Sequence, residues 1–177
     1  RRILAFAQRN TPLLSVMFLL TPNGDHYLAQ PYATQESLQK FNLSDRPYFQ
    51  YVKAHQQTKI SESFVGADGR LAFAVDTPII DARGKLTAHL GGVVYLDSIT
   101  ALLRETASGP FDKLYLIDNH GQLLGQSRVQ RITTELRERF RQQAFIQPIL
   151  PDRQHRPDNE MLHGHVTRLK DDKTDRT

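Results

Sequence analysis

The sequence has no cysteine. A disulfide framework, a thiolate zinc site and a cysteine nucleophile are therefore excluded. It also has no long apolar run. The longest, Leu13-Leu14-Ser15-Val16-Met17-Phe18-Leu19-Leu20, falls far short of the ~18–20 residues needed to span a bilayer and reads as a buried strand. No signal peptide is visible. A Gly-rich phosphate loop, a Ser-His-Asp order and an acidic pair at catalytic spacing are all missing, so nothing points to an enzyme. The charge surplus is small, +4 from 23 basic against 19 acidic residues, too little to argue for nucleic acid unless it is concentrated. It collects mostly on one predicted helix, where Arg128, Arg131, Arg137, Arg139 and Arg141 face only Glu135 and Glu138, and reads as a solvated face. His163-Gly164-His165 would put two rings on one side of a strand with no third ligand, which does not make a metal site. The other histidines, His26, His55, His89 and His120, are scattered. No cofactor is called for.

What is present is ordinary globular composition: 177 residues, 39% apolar and 24% charged, enough for one real core or two small packed units. The chain opens on Arg1-Arg2 and its first methionine is Met17, so it reads as an excised domain.

Ile3, Phe6 and Ala7 stand at helical spacing, and Pro12 marks the end of a helix that began upstream. Two extended runs, to Leu20 and from His26 to Ala29, flank Asn23-Gly24, a strong hairpin signal because both residues tolerate positive φ. After a polar stretch, 31–44, Ser44 or Asp45 is placed to cap a helix with Tyr48, Tyr51, Val52 and His55 on its apolar stripe and Pro47 in its first turn. Short strand 59–65, a turn at Asp68-Gly69, strand Leu71–Ile80 with Pro78 near its end, the Asp81–Gly84 turn and strand Leu86–Asp97 make an antiparallel meander. Within the last strand Leu90, Gly92, Val94 and Leu96 form a core face, and His89, Gly91, Val93, Tyr95 and Asp97 the opposite one. Ser98 is placed to cap a helix with Ile99, Leu102 and Leu103 inward.

A second unit then opens. Sliding by 97 residues sets Gly24 on Gly121, Phe18 on Tyr115 and Leu19-Leu20 on Leu116-Ile117, an internal repeat of the first hairpin. Thr133 or Thr134 starts a helix with Leu136 and Phe140 inward, Pro148 and Pro151 break it, Met161–Leu169 reads as one more strand, and 170–177, with Asp171-Asp172, as a frayed tail. The expected organisation is α+β: 1–12 the end of an N-terminal helix, 13–108 a complete unit, 109–169 a second, incomplete one.

Several segments together resemble the double Cache sensor family: Asn42-Leu43-Ser44-Asp45-Arg46-Pro47-Tyr48-Phe49, Ser61-Glu62-Ser63-Phe64-Val65-Gly66, Asp76-Thr77-Pro78-Ile79-Ile80-Asp81-Ala82-Arg83-Gly84-Lys85, and Gly91-Gly92-Val93-Val94-Tyr95-Leu96-Asp97. The resemblance covers about residues 13–127. It implies tandem PAS-like units, each an antiparallel sheet with flanking helices, behind an N-terminal helix. It implies a periplasmic or extracellular ligand-binding module of a receptor anchored in the inner or plasma membrane, of histidine kinase, chemoreceptor or diguanylate cyclase type. The membrane-distal unit, 13–108, would hold the ligand, and the N-terminal helix would support a homodimer. In amino-acid-binding members an Arg near a helix start, with aromatics beside it, holds the ligand carboxylate; Arg46 matches, with Tyr48 and Phe49. Asp97 matches the aspartate that holds the amine, and Phe41 also fits. Where those members carry a Tyr-x-Asp pair, this chain has Phe64-Val65-Gly66, so a hydroxyl and a carboxylate are replaced.

The residue chemistry fits an anionic guest. A guanidinium fork donates two parallel hydrogen bonds to a carboxylate, and a helix start adds amides and the positive dipole end. Phe41, Tyr48, Phe64 and Tyr95 would wall the site, with the space at Gly66 open to a larger group. The ligand would be an amino acid, another carboxylate or an amine. Arg46 could instead pair with Asp45 or Asp97 to lock the helix, and Asp97 could simply cap the next one. The chain would then be a ligand-free dimerisation or periplasmic docking module. A pocket holding both Arg46 and Asp97 marks the first reading, a direct bridge between them the second.

Overall fold

The structure is a computed structural model and describes residues 2–37, 41–66, 69–107, 109, 113–118 and 120–142. The expected strand Met161–Leu169, the His163/His165 pair and the tail lie outside the described residues.

The first sheet has six strands: β1 (Val16–Leu20), β2 (His26–Gln30), β3 (Lys59–Ile60), β4 (Phe64–Val65), β5 (Leu71–Ile80) and β6 (Leu86–Tyr95). Their order is β2-β1-β6-β5-β3, with β4 also on β5, and every pairing is antiparallel. Chain order puts β1 beside β6, so the two longest strands lie in the middle. Helix α1 (Arg2–Arg9) precedes the sheet, α2 (Tyr32–Glu36) follows β2, α3 (Pro47–His55) crosses one face, and α4 (Leu96–Thr106) continues directly from β6. A separate two-stranded sheet, β7 (Tyr115–Ile117) and β8 (Leu123–Gln126), and helix α5 (Thr134–Arg141) complete the described chain.

Several elements differ from the sequence reading. The polar stretch after β2 contains the short helix α2. β5 has its expected bounds, with Pro78 paired to His89 inside the ladder and an irregularity at Ile79/Ile80 that was not expected. The stretch 59–65 is two strands rather than one. On α1 the expected stripe is reversed: Ile3 and Phe6 are 85% and 64% exposed, and Leu4 is the buried residue. On α3 Tyr48 and Val52 face inward as expected and Phe49 joins them; Tyr51 and His55 instead pack ring to ring, centroids 4.4 Å apart. On α4 Leu102 is exposed and Thr100 buried.

The β6 faces also need correction. The main core lies on the side of His89, Gly91 and Val93, beneath α3: Phe18, Leu20, Ala29, Tyr48, Phe49 and Ala74, with Val16, Leu43, Phe64 and Val93 against them. Burying an apolar side chain of this size contributes roughly 1.5–3 kcal/mol, so α3 is held by three such residues rather than by its nine-residue length. A second core joins Leu71, Phe73 and Leu96 of the first sheet and its continuation to Leu123, Ile132 and Phe140 of the second unit.

The repeat is visible in hydrogen bonds. Gly24 N donates to Thr21 O and Thr21 N to Asp25 O; 97 residues on, Gly121 N donates to Asp118 O and Asp118 N to Gln122 O. Both glycines have positive φ, +89° and +74°, which a side chain would strain.

Candidate functional site

Helix α3 begins with Arg46 as its N-cap residue and Pro47 in the first turn. Proline suits that place because its missing amide hydrogen would have had no helical acceptor. Neither Ser44 nor Asp45 is the N-cap residue, and the Arg46 side chain makes no capping hydrogen bond. The helix ends on Gln56, left-handed at φ 52°, whose amide donates to Val52 O. The start of α3 is tied to the first hairpin: Leu43 N donates to Gly24 O at 2.8 Å, and Asn42 Nδ2 donates to Asn23 O and to Asp25 Oδ1.

The half-buried Arg46 guanidinium lies over the Phe64 ring, 5.6 Å from its centroid, within cation–π range. Among the described residues no carboxylate pairs with it. Tyr48 is buried beneath, and its phenol is pushed up to about 12, first by burial and further by Asp76 and Asp45, against an opposing effect of Arg46. Phe64 is half-buried and faces Ala72 across the β4–β5 pair. Gly66 forms the turn that follows, its amide donating to Arg70 O and its carbonyl accepting from Gly69 N.

Other expected site residues stand elsewhere. Asp97 is in the first turn of α4, and its Oδ2 faces Arg131 Nε at 3.6 Å. It neither bridges Arg46 nor caps the helix; Tyr95, not Ser98, is the N-cap residue of α4. The Tyr95 ring is covered by the Arg70 guanidinium, 3.5 Å from the centroid. The Phe41 ring is 63% exposed and walls nothing, while its carbonyl accepts from His26 N. A cleft of about 240 Å³ is lined by Val65, Gly69 and Leu71 and by 131–135 at the start of α5, and Arg46 is not among its lining residues.

One constellation has no counterpart in the sequence reading. Asp76 on β5 and His89 on β6 are both fully buried, with His89 Nδ1 3.0 Å from Asp76 Oδ2. Phe49 stacks on the imidazole, centroids 4.2 Å apart and planes at 23°. Among the described residues Asp76 Oδ1 and His89 Nε2 have no hydrogen-bond partner, nor does His26 Nδ1. Burial holds His26 below its usual range. Among the described residues no group of three or more metal-ligating side chains assembles.

No protein-family model matches the sequence, and no curated protein matches it. Solved structures do match its fold. An extracellular ligand-binding receptor from Desulfohalobium retbaense aligns with a TM-score of 0.64 at 11% identity, over 81% of this chain and 27% of that one. A domain of a putative sensory box/GGDEF family protein from Vibrio parahaemolyticus gives 0.57 at 18% identity, over 78% and 58%. The sensory domain of the Campylobacter jejuni chemoreceptor Tlp3, with isoleucine bound, gives 0.54 at 14% identity, over 72% and 49%. The chain has the fold of a Cache sensory domain. It spans from 27% to 58% of the length of these three structures. The Cache fold is α+β, and its antiparallel sheet with α3 across one face is the part that positions Arg46. Among the described residues no helix is long and apolar enough to cross a membrane.

Proposed function

We propose that this chain is the extracytoplasmic ligand-sensing part of a membrane-anchored signalling receptor, of histidine kinase, chemoreceptor or diguanylate cyclase type, and performs no catalysis itself. Residues 13–108 bind a small carboxylate-bearing molecule at the start of α3, and 109–169 stand between that unit and the membrane. The observation that carries this reading is Arg46. A half-buried guanidinium sits at a helix start, beside Phe64 and above Tyr48, with no carboxylate on it among the described residues. Helix amides and the dipole end reinforce its preference for an anion, and the aromatic surroundings strengthen the charge interaction by excluding water. The isoleucine in the Tlp3 sensory domain supports a carboxylate ligand. The exposed Ile3 and Phe6 on α1 support dimerisation through that helix. Binding acts on signalling to the extent that the ligand prefers one arrangement of the domain over another.

The test is a thermal-shift screen of amino acids, small mono- and dicarboxylates, amines and purines, repeated on Arg46→Ala. A carboxylate at 100 times its dissociation constant adds about 2.7 kcal/mol. The reading requires a carboxylate hit that disappears in a folded Arg46→Ala protein. A hit retained in Arg46→Ala, or none at all with a variant that only melts earlier, moves Arg46 to a structural role and favours the docking module.

A further inference from the structure

The β3–β4 edge of the first sheet holds one residue more than the stretch of β5 it pairs with. Lys59 and Ile60 pair with Asp76 and Val75, and Phe64 and Val65 with Ala72 and Leu71. Between these pairs 61, 62 and 63 face only 73 and 74. An extra residue on one strand is a β-bulge, and it re-aims the side chains that follow. Successive side chains alternate between faces, so a slip of one residue exchanges them. Without the extra residue Ser63 would stand opposite Ala72, and Phe64 opposite Leu71, which belongs to the second core. With it, Phe64 stands opposite Ala72 and packs against the core beneath α3, while Val65 lines the cleft at the start of α5.

The extra residue is held from both units. On one side Ser61 N donates to Ala74 O, and Ala74 N donates to the Ser61 hydroxyl rather than to a carbonyl, both at 2.8 Å. Ala74 is fully buried, so its amide needs this acceptor. On the other side the Ser63 hydroxyl accepts from Arg137 Nη2 at 2.7 Å, and Gln122 Oε1 accepts from the same nitrogen. Burial pins the edge weakly, since β3 and β4 have two residues each and Ile60 and Val65 are 45% and 59% exposed. Glu62 and His120 are exposed as well, and a surface pair of that kind contributes little.

We propose that Arg137, on α5 of the second unit, is a positioning residue for the candidate ligand site of the first. By holding Ser63 it keeps the extra residue at 61–63, and so keeps the Phe64 ring on the α3 side, under the Arg46 guanidinium. This deepens the Arg46 reading and rests on it for any bearing on a ligand. Coupling of this kind is reciprocal, so a guest at Arg46 that shifts Phe64 also changes how Arg137 holds Ser63.

The experiment reads the Arg46 Nε–Hε signal in the full chain labelled with 15N-arginine, assigned by its loss in Arg46→Lys. Phe64→Leu removes the ring beneath the guanidinium and fixes where the signal falls without it. Ser63→Ala and Arg137→Ala are each expected to move the signal toward the Phe64→Leu position. Phe140→Leu, in the second core, is expected to lower stability and leave the signal in place. An unmoved signal in folded Ser63→Ala or folded Arg137→Ala overturns the proposal, because the first unit then seats Phe64 alone. The same move in Phe140→Leu also overturns it, because any loosening of the second unit would then suffice. A signal indifferent to Phe64→Leu does so too, since the ring would not lie under Arg46. Should Arg137→Ala not fold, Ser63→Ala decides the matter, as it leaves the guanidinium with Gln122. No ligand is added, so a failed carboxylate screen counts against the ligand reading of Arg46 alone, and an unmoved signal in Ser63→Ala against the role of Arg137 alone.

Discussion

Arg137 reaches from α5 to the first unit, its Nη2 donating to the Ser63 hydroxyl at 2.7 Å while also hydrogen-bonding Gln122 Oε1. Ser63 lies between β3 and β4, next to the Phe64 that carries Arg46 on its ring. The neighbouring Glu62 approaches His120 at 3.7 Å, so the same short segment meets the second unit twice. Burial is the first cause that lowers the Arg137 pKa, opposed by Asp118, and the guanidinium needs these partners. Arg137→Ala should lower stability by about 1–3 kcal/mol and Ser63→Ala by about 0.5–1.5. In a double-mutant cycle read by urea unfolding, the two should couple by at least about 0.5 kcal/mol. Strictly additive losses would mean that the bond does not join the units.

Gly91→Ala should destabilise by about 1–3 kcal/mol, the usual cost of overpacking, because its methyl meets the Phe18 ring. Phe18→Leu in the same chain should recover part of that loss. Thermal melts of the two single variants and the double variant check this. A double variant at the sum of the single losses would show that the strain lies in the backbone instead.

Tyr48 ties stability to alkaline pH. Its folded pKa, about 12, exceeds the ordinary 10, so the folded state favours the protonated phenol. That contribution is fully present below pH 10 and is lost as pH rises from about 10 to about 12. Two pH units correspond to about 2–3 kcal/mol. Unfolding free energies between pH 8 and 12 should fall less steeply in Tyr48→Phe than in wild type, and phenolate absorbance should show one late-titrating tyrosine.

The architecture was legible where local chemistry dictates it. Asn23-Gly24 and Asp81–Gly84 became turns, β5 kept its expected bounds, and the 97-residue repeat holds down to individual hydrogen bonds. Helix faces were less legible. A stripe such as Ile3, Phe6 and Ala7 marks a helix without saying which side meets the sheet, and burial of Leu4 depends on tertiary packing. The motif residues of the proposed site stand out in the sequence, but their company does not. Arg46, Tyr48 and Phe64 are brought together, whereas Asp97 goes to Arg131 because β6 turns into α4 at Leu96. Asp76 and His89 were missed because neither stands out alone. Their signal was the hairpin: pairing outward from the Asp81–Gly84 turn sets two titratable residues on adjacent strands, inside apolar runs. The irregularity at Ile79/Ile80 fixes the final register, and no composition rule anticipates it.

Thr133 is the one predicted cap the structure retains, its hydroxyl accepting from Leu136 N at 3.2 Å. Thr133→Ala should cost about 1 kcal/mol. The loss should appear first as faster amide exchange in α5, before any change in the β5–β6 ladder. Simultaneous loss of protection in both would mean that α5 and the sheet open as one unit.

The tie between Gly24 and the start of α3 separates two kinds of sequence change. A Cβ on Gly24 would come within 2.7 Å of the Ser44 backbone nitrogen, and 41–44 hang on the same turn by four hydrogen bonds. The seat of Arg46 is thus set by a turn twenty-two positions earlier in the chain, and not by the connection that leads to it. A change of length in that connection would leave these ties to the start of α3 in place, but a residue other than glycine at position 24 would push against the Ser44 backbone and shift that start.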